Sequence, residues 1–350
     1  MLQPVPSRIE PIFSPRIWGT RSLAPLFPAK VNLEEPIGEA WLTGNDCHIA
    51  NGPFVGRSLR ESWNAMPAEW RGTRFESCRD FPLLLKFLFP CDKLSVQVHP
   101  DDAYAAKYEQ AAGGRGKTEM WHIVSAQPGA ELFVGLKPGV TKETLLDSVR
   151  DRTVEKLLVH YAVHPGDTFF VPAGTQHAIG PGMVLCEVQE YSDLTYRVYD
   201  YGRVDPSGKP RELHVEKALE VTNFEDTGAA KVTPLALHSP DANKHLLIAC
   251  EFFAVEHWDC RKTTPIESNA EEFQLFVILA GEGVIYDADS SFHCRPGEAW
   301  FFPASLPLVL LQPSQPTRLL RVVAPDPSAL RNQLQKQGFE AQVLSRVVMS

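Results

Sequence analysis

The 350-residue sequence has no uninterrupted apolar run of about 18 residues, the length a helix needs to cross a bilayer, so it predicts no membrane partner. Its opening MLQPVPSRIEP lacks the basic and apolar regions of a secretory signal, and export is not expected. Cysteine is sparse: Cys47, Cys78, Cys91, Cys186, Cys250, Cys260 and Cys294 are odd in number and form no CxxC pair. That argues against a disulfide framework or a zinc knuckle and places the chain in a reducing cytoplasm. Positive charge is in deficit. A net charge of -9 disfavours nucleic acid as a partner but leaves room for a local basic patch that attracts a phosphorylated small molecule. With 44% hydrophobic and 22% charged residues the balance is that of a soluble globular protein.

Two stretches 131 residues apart then read almost alike: HPGDTFFVPAGTQH (His164 to His177) and RPGEAWFFPASLPL (Arg295 to Leu308). A spacing far above solenoid periods indicates duplicated domains, and the length accommodates two. Short apolar runs such as PLLLKFL, KLSVQVH, ELFVGL and MVLCEVQEY, punctuated by 23 glycines and 29 prolines, are β signals. A repeated PG-x(5)-PA turn between short strands is the pattern of a cupin jelly roll, so the expected fold is all-β with helical insertions, two cupin (jelly-roll β-barrel) domains. In those turns Gly supplies unusual backbone angles and Pro presets the corner. Two helices are expected, one over 103–112 capped by Asp102 and ended by Gly113-Gly114, and one capped by Thr141 that continues to about Tyr161 with a break near Thr153. The polar stretch after Phe224 reads as a linker, dividing the chain into a catalytic, metal-binding domain over 1–225 and a second cupin without a metal site over 226–350.

In LSVQVHPDD, Gln97 and His99 lie two residues apart and leave the same face of a strand. In GKTEMWHIV, Lys117, Glu119 and Trp121 share one face, while Met120 and His122 take the other. With His177 from the repeat turn, a barrel interior could collect two imidazoles, a carboxylate and an amide oxygen, a plausible zinc site with a position left open. Taken singly, each histidine reads as surface or core, and a polar strand residue such as Gln97 is ordinary. A third group lies in YSDLTYRVYDYGR, where a strand would present Asp193 and Arg197 to one side, suited to sugar or phosphate handling, although an isolated pair of this kind more often forms a cross-strand salt bridge on a solvated face.

KFLFPCDKLSVQVHPDD, GKTEMW, VPAGTQHAIG and SDLTYRVYDYGR, in this order, resemble the class I mannose-6-phosphate isomerases of the short bacterial type, zinc-dependent cupin enzymes. RIWG (Arg16 to Gly19) and IGEAW (Ile37 to Trp41) resemble that family's N-terminal strands. The resemblance is dense over 5–222 and thin beyond; FPCDK (Phe89 to Lys93) departs from the family's more acidic turn without changing its length. It implies one zinc ion per chain on Gln97, His99, Glu119 and His177. It also implies Lys117, Arg197 and Asp193 as catalytic residues, Asp193 in ring opening, and Lys86, Lys117 and Arg197 as substrate-binding. The implied reaction interconverts mannose 6-phosphate and fructose 6-phosphate through an enediol or enediolate. Lys117 is then the first candidate base, provided its pKa falls from about 10.4 towards neutrality, with Glu119 the competing candidate. Arg203 is a further candidate for the phosphate, beside Lys86.

Leu308 stands where the first copy has His177, so the second cupin reads as a support, and Phe252, Phe253, Trp300, Phe301 and Phe302 are either its core or an interface of a homodimer rather than a monomer. The alternatives are another metal cupin, either a different sugar-phosphate isomerase or an Fe(II) dioxygenase, and a sugar-binding cupin without turnover. Gln97 and the set Lys117, Asp193 and Arg197 suit a phosphosugar better than oxygen activation.

Overall fold

In the computed structural model, which describes residues 2–204, 208–225 and 230–349, the two copies of the repeat turn are built alike. In the first, the backbone N–H of His164 donates to Asp167 Oδ2 (2.9 Å) and that of Gly166 to the Ile123 carbonyl (2.8 Å). In the second, Arg295 N–H donates to Glu298 Oε2 (3.0 Å) and Gly297 N–H to the Ile278 carbonyl (2.9 Å). Gly166 and Gly297 adopt φ of 92° and 85°, a region that strains any residue with a Cβ. At Gly297 a Cβ would also meet the Phe27 ring at 2.7 Å. The turns launch the equivalent strands Thr168–Val171 and Ala299–Phe302.

Around the first turn stands a six-stranded sheet in the order Ile12–Thr20, Ile37–Trp41, Leu83–Leu88, Met183–Glu190, Glu119–Ala126, Thr168–Val171. It faces a five-stranded sheet ordered Tyr196–Tyr199, Val96–Val98, His177–Ile179, Glu131–Leu136, Leu158–Ala162. Around the second turn is a seven-stranded sheet ordered Ser7–Ile9, Ala299–Phe302, Gln274–Ala280, Thr317–Val323, Ala254–Cys260, Asn243–Ala249, Leu235–Leu237. Its partner has four strands, Thr264–Ile266, Val309–Pro313, Gly283–Tyr286 and Ser291–Cys294. The expected pair of jelly rolls is present. The N-terminal strand Ser7–Ile9 completes the second module's sheet by pairing with Ala299–Phe301, and the boundary expected near 226 falls outside the described residues.

The packing explains why most strands are apolar on both faces. One core lies inside the first jelly roll (Trp121, Ile123, Leu132, Val134, Phe169, Leu185) and another inside the second (Trp258, Ile278, Trp300, Phe302, Leu319). The largest lies between them, where the outer face of the six-stranded sheet (Leu83, Leu85, Phe87, Met120, Val188) meets that of the seven-stranded one (Val255, Leu275, Val277, Phe301, Leu320). Strand Leu83–Leu88 is therefore buried at every position. Phe253, Trp300, Phe301 and Phe302 are all core.

The helices depart from the sequence reading. The first, Asp102–Tyr108, is capped one residue earlier than expected, by Asp101, whose carboxylate accepts from Tyr104 N–H (2.7 Å). Thr141 does cap Lys142–Arg150, but the expected continuation to Tyr161 fails: Arg152 turns to φ 59°, a 3-10 turn covers Val154–Leu157, and Leu158–Ala162 pairs as an edge strand. Val159 and Tyr161 favour that strand, which hydrogen bonds with Glu131–Leu136 and not local propensity decide. Among the described residues, five further α-helices, Leu59–Ala65, Ala68–Arg71, Val215–Val221, Pro327–Lys336 and Ala341–Leu344, have no counterpart in the sequence reading.

Phe273 ties the modules, its ring 5.5 Å from Trp63, 5.2 Å from Phe75, 5.4 Å from Phe81 and 5.3 Å from Phe301. Phe273→Ala should cost about 3–5 kcal/mol in denaturant unfolding while both modules still unfold in one transition; two resolved transitions in the wild type would contradict a shared core. Across the same interface the tilted rings of His122 and His257 lie 5.5 Å apart, held neutral by burial at about 3 and about 4. Their depressed values mean that the unfolded chain binds more protons below pH 6.5, so stability should fall as the pH drops from about 6.5 towards 4. A His122→Gln variant should show a shallower decline over that window.

Candidate metal centre and active site

The two sheets of the first jelly roll converge on one buried carboxylate. Glu119, the first residue of its strand, is wholly buried, and neither of its oxygens accepts a hydrogen bond of good geometry. His177 Nε2 lies 3.5 Å from Oε1 and His99 Nε2 3.7 Å from Oε2. Each imidazole is oriented from behind: His99 Nδ1 meets the Leu194 carbonyl at 2.8 Å, and His177 Nδ1 meets that of Thr175 at 2.9 Å. Those carbonyls can only accept, so Nδ1 carries the proton and both Nε2 lone pairs face the carboxylate. Burial keeps both rings neutral, His177 at about 4 and His99 well below its ordinary value, with Lys117 adding to the effect.

Gln97 completes the arc. It sits opposite His177 in the sheet register, with its Nε2 3.2 Å from His177 Nε2 and its Oε1 accepting from Ser95 Oγ (3.1 Å). A half-turn of the amide exchanges the two, putting the oxygen beside His177 and an N–H₂ donor on Ser95; nitrogen and oxygen of an amide are interchangeable in shape. His99, Glu119 and His177 alone, among the described residues, form a trio of His, Cys, Asp or Glu with ligand atoms within 4.8 Å of one another. A buried carboxylate beside two neutral imidazoles, with all three ligand atoms within 4.8 Å of one another, fits a divalent cation with nitrogen and oxygen preferences.

Lys117 lies against this group, its Nζ 2.9 Å from Glu119 Oε2 and 3.2 Å from His99 Nε2. The expected fall in its pKa is not found. Burial works in that direction, but the Glu119 and Glu187 carboxylates outweigh it and raise the value. Lys86 forms the next layer: buried on strand Leu83–Leu88, with the Glu187-bearing strand between it and that of Glu119, it stands 3.2 Å from Asp193 Oδ1, 3.7 Å from Glu187 Oε2 and 4.6 Å above the Trp41 ring. Arg197 pairs with Gln97 across the sheet; one of its terminal nitrogens donates to the Glu212 carbonyl (3.0 Å), and its Nε is buried without a partner.

Two expectations need correction. Asp193 and Arg197 do not share a strand, because the strand begins only at Tyr196. The Leu194 carbonyl is turned to His99, and Asp193 stays in the irregular segment before the strand, held by Lys86. Arg203 is no free phosphate ligand, since Asp200 (2.5 Å) and Asp92 (3.3 Å) engage its guanidinium. Glu187 escaped the sequence reading altogether. It accepts from Trp121 Nε1 (3.1 Å) and faces both lysines, and burial followed by the Glu119 charge raises its pKa. Its signal was present in MVLCEVQEY, where an acid interrupts an apolar run, but the pairing that puts Glu187 opposite both Lys86 and Trp121 is long-range.

Comparison with known proteins follows the same lines. Residues 7–121 match the model of the phosphomannose isomerase type I catalytic domain, and residues 242–314 that of the mannose-6-phosphate isomerase cupin domain. The chain is 34% identical to the mannose-6-phosphate isomerase ManA of Bacillus subtilis over 308 residues, which cover 86% of this chain and 94% of the relative. It is 35% identical to the mannose-6-phosphate isomerase of Streptococcus mutans over 295 residues, covering 83% and 90%. The crystal structure of a Bacillus subtilis mannose 6-phosphate isomerase superposes with a TM-score of 0.83 at 30% identity, covering 91% of this chain and 99% of that one. These matches span both modules and agree with the geometry of the site: the chain belongs to the class I mannose-6-phosphate isomerases, a family of cupin enzymes.

Proposed function

We propose that this chain interconverts mannose 6-phosphate and fructose 6-phosphate with a zinc ion held by Gln97, His99, Glu119 and His177. The observation that carries the metal is the buried trio of Glu119, His99 and His177, whose ligand atoms lie within 4.8 Å of one another with both imidazoles neutral and directed at the carboxylate. Bound there, zinc supplies Lewis-acid charge stabilisation next to the sugar oxygens, worth several kcal/mol. We assign this chemistry to a domain over 1–225 and a supporting role to 226–350.

The chemical difficulty is moving a proton between C1 and C2 on one face of a planar enediolate, which needs one group able to take and return it. Lys117 is buried beside Glu119 and within reach of the same space, and it carries the proton in this reading; Glu119 is the competitor. The lysine is neutral only to the extent that the charge of Glu119 is taken up by a ligand, since that carboxylate is the first of the groups that favour its ammonium form. Asp193, held by Lys86, assists ring opening, while Arg197 and Lys86 hold the substrate oxygens and phosphate.

Purified wild type should release fructose 6-phosphate from mannose 6-phosphate in a phosphoglucose-isomerase-coupled assay, lose activity on chelation and regain it with zinc. No product after zinc is restored sinks the isomerase reading. His99→Ala should lose both bound metal and turnover, and equal metal and equal activity in the two proteins refute the site. Lys117→Met should lower kcat by about 100-fold or more with metal content preserved; near-normal turnover removes the lysine as base. Glu119→Gln should no longer show the rise in Tm that added zinc produces in the wild type, and an unchanged rise would exclude Glu119 as a ligand.

A further inference from the structure

The backbone that carries Lys117 is fastened by two carboxyl groups outside the site just described. Gly116 N–H donates to Asp102 Oδ1 (2.7 Å), and Thr118 N–H donates to Glu190 Oε1 (2.7 Å). Between them Lys117 N–H donates to the Pro100 carbonyl (3.0 Å), and Glu190 N–H returns a bond to the Thr118 carbonyl (3.1 Å). Three consecutive amides are thereby anchored to the residues that follow His99 and to the end of strand Met183–Glu190. The fit leaves no slack: a Cβ on Gly116 would stand 2.6 Å from both the Asp101 carbonyl carbon and the Asp102 nitrogen. Glu190 is 6% exposed, whereas Asp102 lies at the surface and its side chain meets that of Glu190.

We propose that Glu190 and Asp102 are positioning residues, two adjoining carboxyl groups that lock the Gly116–Thr118 backbone and so hold Lys117 beside His99. Two adjoining carboxylates cannot both ionise cheaply. Burial first, and the neighbouring Asp102 after it, push Glu190 up to about 8 against the lowering effect of the Thr118 N–H. The Cys250 thiol of the second module also lies near it; burial holds that thiol at about 12, and it stays protonated. A value raised above the ordinary 4.5 means that the locked state is favoured below that pH and lost as the pH rises through about 8. Glu190 then ionises, like charges adjoin, and the lysine-bearing segment loosens.

The kinetic part of the test rests on the isomerase reading; the exchange part does not. We would measure kcat and KM from pH 6 to 10, and hydrogen-exchange protection of the 116–118 amides at pH 7 and 9, for wild type, Glu190→Ala and Glu190→Gln. Wild type should lose kcat and amide protection together above about pH 8. Glu190→Ala should lower kcat about tenfold at pH 7 with protection reduced and metal content kept, because a small displacement of a reacting group costs rate steeply. Glu190→Gln, which still accepts from Thr118 and donates to Asp102 without a titrating proton, should restore both and move the alkaline limb up by more than about one unit. A Glu190→Gln profile that bends where the wild type does, or wild-type protection in Glu190→Ala, overturns the proposal. Should Glu190→Ala fail to fold, the Glu190→Gln comparison decides alone. Should wild type lack turnover, the isomerase reading falls and the exchange measurement still decides this inference.

Discussion

A carboxylate taken wholly out of water, with no donor of good geometry on either oxygen, is stable only where compensating charge is at hand. Glu119 is in that position, and the surrounding architecture follows from serving it. Two imidazoles are kept neutral by burial and turned by carbonyls so that their lone pairs face it. Lys117 is drawn against it, Lys86 and Glu187 form a second layer of alternating charge, and Trp121 supplies a donor to the outer acid. Such a cluster cannot be assembled by one segment. Gln97, His99 and His177 come from one sheet or its end and Glu119 from the facing sheet, so the two layers of the jelly roll must close before the site exists.

The duplication is used asymmetrically. Both copies keep the hydrogen-bonded turn with its left-handed glycine, because that turn is what starts a strand at the right angle in either module. Beyond the turn the copies diverge. The first runs into buried His177, while the second reaches Leu308, 58% exposed, and fills its interior with Trp258, Phe276, Trp300 and Phe302. The second module contributes a broad apolar face that covers the outer side of the sheet bearing Glu119 and Lys86. An apolar face packed against the sheet gives the charged cluster a rigid backing.

Much of this is legible from spacing. Residues two apart share a face of any strand, so the sequence alone pairs Gln97 with His99 and Lys117 with Glu119. The PG-x(5)-PA turns, Thr141 as a cap and the two jelly rolls likewise depend on local chemistry that travels with the residues. What escapes is non-local. Leu158–Ala162 is a strand because an edge is free to pair with it. Asp193 stays outside the strand because His99 claims the adjacent carbonyl. Arg203 is spent on Asp200 and Asp92, and Glu187 and Glu190 acquire meaning only from the strands beside them.

The sequence by itself determined the duplication, the fold class, the four prospective ligands and the family, since each is carried by residue type at fixed spacing along one strand or turn. Tertiary structure alone decided the charge state around Lys117, the second layer of Lys86, Glu187 and Asp193, and the fastening of the 116–118 backbone by Asp102 and Glu190. Burial and the distances between charges on different strands set those properties, and neither quantity exists until the sheets have packed.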